Sequence, residues 1–468
     1  MSATHYSVIA VVGYLLGSIL FGYLPERFVR HQDFRPVGSR KIRATTVLRS
    51  GSKGLGTETS TRSREARVTV WPRLVSLLPL LLLAAAGFAQ EPKAQFVGSE
   101  KCKGCHAQAY EGWKQTRMAN VIRDPKEHPE AVLGDFAHAD PLRTFDLKQV
   151  AFVYGSHWKQ RYFTKRGDDY YPLPAQWDVK KGRWLPYHVE AGTDWWTPFY
   201  GPSNFDRPTG PTCDGCHSVN YNVQTKQVTE WNVGCEKCHG PGSVHVAHPT
   251  RTNIVNPETL DYVRGNDTCI QCHSQGQPLH NPINNAYYDW PVGFLPGQRL
   301  ADFWKLEELK PGTTNFYQYA ELTGHKNRMQ GNDFVQSTMY HRQLRCFDCH
   351  QVHSNVHAPN LILPGNSLCL FCHSKENPAG LKGTVSEHTH HAEGSSGSQC
   401  VACHMPRIEQ TIKDNYVSAH TFRFITPTET EQSRVPNPCT SCHADKSTAW
   451  ATAQLKGWAT TSPWRVAQ

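Results

Sequence analysis

CKGCH at Cys102–His106, CDGCH at Cys213–His217, CEKCH at Cys235–His239 and CIQCH at Cys269–His273 are four copies of one pentapeptide. Four more follow: CFDCH at Cys346–His350, CLFCH at Cys369–His373, CVACH at Cys400–His404 and CTSCH at Cys439–His443. Together they use all sixteen cysteines, namely Cys102, Cys105, Cys213, Cys216, Cys235, Cys238, Cys269, Cys272, Cys346, Cys349, Cys369, Cys372, Cys400, Cys403, Cys439 and Cys442. Two thiols spaced by two residues, with histidine directly after the second, form the attachment signature of c-type haem. The thiols add across the two vinyl groups of one porphyrin, and the imidazole reaches the iron as proximal ligand. A zinc ribbon would pair its Cys-x-x-Cys units with no rule for the next residue, and a dithiol enzyme needs one motif. Eight copies closed by His106, His217, His239, His273, His350, His373, His404 and His443, with no thiol left over, fit neither. The cofactor set this implies is eight covalently attached haems.

Working outward, about 379 residues follow position 89, or about 47 per motif. So short a segment cannot bury a sizeable core of its own. Porphyrin faces therefore have to serve as interior, and folding is expected to be coupled to haem attachment. The mean hydropathy of −0.55 and the 38% hydrophobic content agree with apolar filling supplied by cofactor. The formal charge of +9 is misleading, because residues 1–89 hold 12 Lys/Arg against 4 Asp/Glu and the remainder holds 37 against 36. A near-neutral chain that gains two propionates per haem has no electrostatic footprint for nucleic acid. Basic redox partners, or local Lys/Arg patches docking acidic ones, remain open.

The leader joins two things. LVSLLPLLLLAAA at Leu74–Ala86, preceded by Arg62, Arg64, Arg67 and Arg73 and followed by Gly87-Phe88-Ala89, has the form of a secretory signal and is short for a membrane span. We assign 61–89 to a signal peptide, which places the chain in the periplasm or otherwise across the bacterial cytoplasmic membrane. Retention as a membrane anchor is the alternative. Upstream lie a second apolar stretch, Val8–Leu24, and VGSRKIRATTVLRSGSKGLG at Val37–Gly56. With LLGSILFGYL at Leu15–Leu24, this resembles the start of the bacterial acyl-phosphate glycerol-3-phosphate acyltransferase family. Arg40, Lys41, Arg43 and Thr46 depart from that family's loop. Residues 1–60 are read as a remnant of that fold with one apolar segment, not as an active acyltransferase.

Residues 90–468 form the haem-bearing domain. Its expected class is mainly α with extensive irregular loops, organised around eight covalent haems, with a short helix at each motif. Between the first and second motifs, VAFVYGSHWKQRYFTK, YYPLPAQWDV and RWLPY alternate aromatic and polar residues around Gly-Asp-Asp and Lys-Gly breaks. This predicts a three-stranded antiparallel meander over 150–187. The fourth-to-fifth gap, with Pro291, Pro296, Pro311 and FWKLEELK at 303–310, predicts loop plus one short helix. Pro438–Gln454 reads as helix.

Fifteen histidines lie outside both the motifs and the leader, enough by count for eight sixth positions. A second imidazole saturates the iron and suits electron transfer, whereas an open sixth position is what substrate chemistry needs. Candidate distal ligands are His157, His245, His325, His341, His353, His388, His391 and His420. His245 is placed in a turn beside its own motif, His353 is assigned to a neighbouring haem, and His388, His390 and His391 cluster where two irons could be served. His128, His138, His188, His248 and His280 sit in polar or Pro-flanked loops and are read as surface residues.

VGSEKCKGCH, WNVGCEKCHGPGSVH, DFVQSTMYHRQLRCFDCHQVHS, HTHHAEGSSGSQCVACHMP and NPCTSCHADKSTAW resemble, in order, the multihaem cytochrome c-552/c-554-like family with doubled motifs. The resemblance implies stacked and perpendicular haem pairs, largely bis-histidine, in an exported electron-transfer protein. Relatives often carry a histidine one position nearer the cysteine than His341. The preferred function is an electron carrier between redox partners such as quinol-linked or periplasmic cytochromes. The alternative is an oxidoreductase acting on a small nitrogen or sulfur species (nitrite, hydroxylamine, tetrathionate) at one five-coordinate haem. Membrane association through the N-terminal segment and assembly into an oligomer or filament are further expectations.

Overall fold

The computed structural model describes residues 93–458 except 188–206, 375, 378–379 and 412–413. The leader, with its acyltransferase-like and signal segments, and His188 lie outside the described residues. The chain divides into Met1–Glu91 and Pro92–Gln468, and the described residues belong to the second unit.

Regular structure is densest before the second motif. Strands β1 (Ile122–Arg123), β2 (Phe152–Tyr154), β3 (Lys159–Arg166), β4 (Asp169–Asp178) and β5 (Arg183–Pro186) pair in sequence order as one antiparallel sheet. The three-stranded meander expected over 150–187 is thus four strands joined by a fifth from upstream. Gly155, at φ +85°, turns the chain between VAFVY and WKQRYFTK and splits what reads as one run. Gly167 and Gly182, both at positive φ, close the next two turns.

Side chains alternate across this sheet with the two-residue period of a strand. Val153, Tyr162, Leu173, Ala175 and Trp184 join Phe145 and Val150 in one buried cluster. Tyr154 and Phe163 face the other way and join Ile122, with Phe152, Tyr170, Cys213 and Trp231 packed around them. The first face is the sheet's own core, where each buried aromatic contributes roughly 1.5–3 kcal/mol. Its polar tips are satisfied: Tyr162 Oη donates to Gln160 Oε1 at 2.8 Å and Trp184 Nε1 to the Asp135 carbonyl at 3.1 Å. The second face positions the CDGCH motif.

Elsewhere short helices carry the motifs. They span Glu100–Lys103, Gly215–His217, Cys235–His239, Tyr262–Ile270, Asn366–Leu370, Cys400–His404 and Pro438–Cys442, and Cys346–Asp348 is a single 3₁₀ turn. None is long enough to be stable alone. Gly215 is required inside its motif, since a Cβ there would lie 1.9 Å from the Trp290 ring. Two expectations need correction. FWKLEELK contains no helix: Trp304–Leu306 is a strand paired with Gly276–Pro278, and the helices of that gap are Gln330–Val335 and Thr338–His341. Pro438–Gln454 is two helices, Pro438–Cys442 and Thr448–Gly457, because Ser447 caps the second through its hydroxyl and the chain breaks at His443.

The remaining apolar residues form small separate clusters, such as Ile270, Phe294, Leu300 and Trp304, or Ile408, Ala419, Ile425 and Val435. Among the described residues no helix is long and apolar enough to cross a membrane.

Candidate haem centres

Five motif imidazoles each face a second imidazole. The ring centres lie 6.3 Å apart for His106 and His245, 6.1 Å for His239 and His353, and 6.5 Å for His350 and His420. They lie 6.3 Å apart for His404 and His388, and 6.2 Å for His443 and His391. The planes are close to parallel, at 13° to 32°. Direct stacking would bring carbon atoms to about 3.5–4.0 Å. One metal atom between two nitrogens requires more: about 2.0 Å per metal–nitrogen bond and about 1.1 Å from nitrogen to ring centre, or about 6.2 Å in total. The five spacings are those of axial imidazole pairs on a single metal atom.

The other ring nitrogen is held in five of these ten residues. His239 Nδ1 donates to the Val255 carbonyl at 2.7 Å, His350 Nδ1 to Pro359 at 3.2 Å, and His391 Nδ1 to Thr389 at 2.6 Å. His420 Nδ1 donates to Ser418 at 2.9 Å, and His245 Nδ1 to Asn253 Oδ1 at 2.9 Å. A carbonyl on Nδ1 fixes the tautomer and leaves the Nε2 lone pair for metal. Burial holds His239, His350, His353 and His420 below the ordinary imidazole range, which keeps them neutral as a ligand must be.

A continuous cavity of about 3080 Å³ runs along the motifs and is lined by cysteine or histidine from the second to the seventh. A site for one drug-sized ligand holds about 300–1,000 Å³, so this space suits several large groups. Ten of the sixteen cysteines line it. Donor set, spacing, tautomers and volume all fit haem.

Comparison with known proteins points the same way. Residues 101–159 match the family described as cytochrome c554 and c-prime. The solved structure "Crystal Structure of Outer Cell Wall Cytochrome OcwA" superposes with a TM-score of 0.63, covering 78% of this chain and 87% of that one at 21% identity. Over this span the chain shares the fold of that cytochrome. The first segment is separate in kind: residues 7–61 match the glycerol-3-phosphate acyltransferase family. The enzyme of that name from Bradyrhizobium sp. (strain ORS 278) is 52% identical over 48 residues, 10% of this chain and 24% of the relative. That from Rhodopseudomonas palustris (strain BisB5) is 48% identical over 54 residues, 12% of this chain and 28% of the relative. The chain thus spans about a quarter of the length of these curated relatives.

Thiols from different motifs lie within electrostatic range of one another: Cys102 and Cys235, Cys216 and Cys272, Cys269 and Cys346, and Cys369 and Cys400. Cys238 lies within electrostatic range of Cys269, and Cys349 of Cys369 and Cys372. The Cys400–His404 helix packs on Pro438–Cys442. The motifs therefore neighbour one another in the order first, third, fourth, fifth, sixth, seventh and eighth, with the second attached to the fourth.

Not every candidate histidine is brought to a partner. His245 opposes His106 of the first motif, not His239 of its own. His325 faces no motif imidazole: its Nε2, the nitrogen a metal would need, bonds the Asn315 carbonyl at 2.6 Å. His341 is exposed at the end of its helix against Tyr340, and His157 lies against Trp158 on the cavity wall. His128 and His138 pair with Glu130 and Asp135 at the surface. Among the described residues His217, His273 and His373 have no facing imidazole. The Nδ1 acceptors went unread in the sequence because backbone carbonyls leave no mark in it.

Around CDGCH the electrostatics differ from the other motifs. Tyr154 Oη and Thr209 Oγ1 donate to the two oxygens of buried Asp214 at 2.9 and 2.7 Å. Burial pushes that carboxyl up to about 6 despite the two hydroxyls. The ring centres of Tyr154 and His217 lie 6.2 Å apart in an edge-to-face arrangement.

Proposed function

We propose that residues 90–468 hold eight c-type haems, one at each motif, and relay electrons between redox partners outside the cytoplasmic membrane. The observation that carries this is the set of five facing imidazole pairs, His106–His245, His239–His353, His350–His420, His404–His388 and His443–His391. A bound haem supplies one-electron exchange at iron, with potential tuned by its ligands and surroundings. The chain does the rest. With haem bound, the facing imidazoles would hold the iron from both sides and leave no place for substrate, while carbonyls on Nδ1 hold the rings in place. The neighbour order from the first motif to the eighth makes a line along which centres lie close enough for electrons to hop. Cys105, Cys372 and Cys442 are exposed, so the first, sixth and eighth motifs reach the surface, two of them at the ends of the line.

The signal-like segment at 61–89 supports export, and the neighbour named an outer cell wall cytochrome is in keeping with it. Periplasmic or quinol-linked cytochromes are the partners that suit such a line, and end-to-end assembly into an oligomer or filament is compatible with it. The test is electron paramagnetic resonance of the oxidised protein. At least five haems should be low-spin with the signals of near-parallel imidazoles. A spectrum dominated by high-spin iron would sink the relay.

A further inference from the structure

We infer that the second motif is the electron store of the line: cations packed at Cys213–His217, and carboxylates packed at Cys102 and Cys235, draw electrons from the first centre to the second. This rests on haem attachment at these motifs and adds a direction to the relay.

The carboxylates are built into the junction of the first and third motifs. Glu230 Oε2 accepts from the Ser99 amide at 2.9 Å and from Ser99 Oγ at 2.8 Å, and that hydroxyl accepts from the Cys235 amide at 2.9 Å. A Cβ at Gly234 would lie 2.3 Å from Glu230 Oε2, so the carboxylate rests on the backbone beside Cys235. Buried Glu236 accepts from the amides of Val97, Gly98 and Gly242. Both carboxylates lie within electrostatic range of Cys102, and Glu230 also of Cys235. Lys101 and Lys103 of the first motif are exposed, where water and salt screen them.

The second motif stands amid the opposite charge. Arg328, Lys237 and Arg161 lie within electrostatic range of His217. Arg328 places Nη1 3.7 Å from Cys216 Sγ and donates from Nη2 to the Asp289 carbonyl at 2.7 Å, which anchors the guanidinium. Its backbone sits at φ +55°, a conformation that residues with a side chain rarely adopt, so the cation is held here at an energetic cost. Lys237 belongs to the third motif, yet its ammonium donates to the Gly215 carbonyl inside the second. Asp214 and Asp289 oppose these cations. Tyr154 and Thr209 donate to the Asp214 carboxyl, and Asp289 Oδ2 is paired with Arg207 at 3.1 Å.

A haem that gains an electron loses one unit of positive charge as ferric iron becomes ferrous. Nearby cations therefore favour the reduced form and nearby carboxylates the oxidised form, and a low dielectric enlarges both effects. In the step itself one electron leaves a ferrous first centre, passes the third and fourth, and reduces the ferric second. No bond breaks and no proton moves. Because the second motif branches from the fourth at Cys216 and Cys272, an electron held there leaves the line open to the next.

After intact mass has counted the haems, potentiometric titration with visible and paramagnetic spectra compares the holoprotein with Arg328→Gln, Arg328→Lys and Glu230→Gln. Arg328→Gln should shift part of the curve to lower potential. Glu230→Gln should shift a different part, one reduced later in the unaltered protein, to higher potential. Arg328→Lys keeps the charge and should follow the unaltered curve, and Arg161→Gln should repeat the downward shift even where Arg328→Gln matures poorly. Shifts of the same part of the curve by Arg328→Gln and Glu230→Gln, shifts in the reverse order, or no shift at all would overturn the inference. So would an Arg328→Lys curve displaced as far as that of Arg328→Gln. A low haem count would instead defeat the haem reading on which the inference rests.

Discussion

His353 meets His239 from a segment that follows the fifth motif, and the two rings lie 13° from parallel. Replacing His353 by alanine should leave one iron without its second imidazole and convert one centre from low to high spin, with the others unchanged. Paramagnetic resonance of the variant reads this directly, and an unaltered low-spin count would show that His353 ligates nothing. Glu236, inside the third motif, is a second residue whose role is local. Its carboxylate accepts from the amides of Val97 at 3.0 Å, Gly98 at 2.7 Å and Gly242 at 2.7 Å, tying the start of the domain to the motif helix. Glu236→Ala should destabilise the holoprotein by about 1–3 kcal/mol, since one buried and two half-buried amides lose their acceptor; chemical denaturation measures it. At this scale the motif residues were fully legible, because haem attachment needs a fixed covalent spacing. Distal histidines were legible only in part. His353, His388, His391 and His420 reach motif rings, whereas His325 spends its Nε2 on a carbonyl, and nothing in a count of histidines shows which nitrogen is free.

The sheet β1–β5 carries an ion pair that makes it sensitive to acid. Lys159 Nζ lies 2.7 Å from Asp178 Oδ2, with both side chains almost wholly buried. Burial pushes the Asp178 carboxyl up, but the hydrogen bonds from Lys159 and the Lys181 amide pull it down further, so it lies below the ordinary range. A carboxyl with a depressed folded pKa stabilises above its unfolded pKa of about 3.9, and that contribution fades as pH falls through the folded value. Melting of the sheet, followed by tryptophan fluorescence or amide exchange, should therefore be flat near neutrality and fall below about pH 4. Asp178→Asn should remove this acid sensitivity and cost about 3–5 kcal/mol at neutral pH, because Lys159 keeps a buried charge without its partner. Unchanged stability in that variant would deny the pair its role. The alternation that announced a meander is physical: Val153 and Tyr154, or Tyr162 and Phe163, bury on opposite faces. The strand at Trp304–Leu306 was misread because its pairing with Gly276–Pro278 is set by tertiary contact, which overrides local propensity in so short a run.

Across the molecule, the neighbouring thiols order the motifs as a line with one branch, an arrangement that spacing along the chain does not disclose. Cys102 lies beside Cys235 and Cys216 beside Cys272, so neighbours in space are not always neighbours in sequence. Closely packed centres in a low dielectric repel one another's added electrons. Differing exposure and Nδ1 partners should spread their potentials further. A potentiometric titration should accordingly be broad, covering several hundred millivolts within the span that haem environments allow; one sharp single-potential wave would contradict close packing. The most direct measurement is the intact mass of the exported holoprotein together with a thiol assay under denaturing conditions. Eight haem increments on a polypeptide beginning near Gln90, with none of the sixteen cysteines reacting, is the expected result. Seven or fewer haems in fully matured protein, or thiols that remain free, would contradict it.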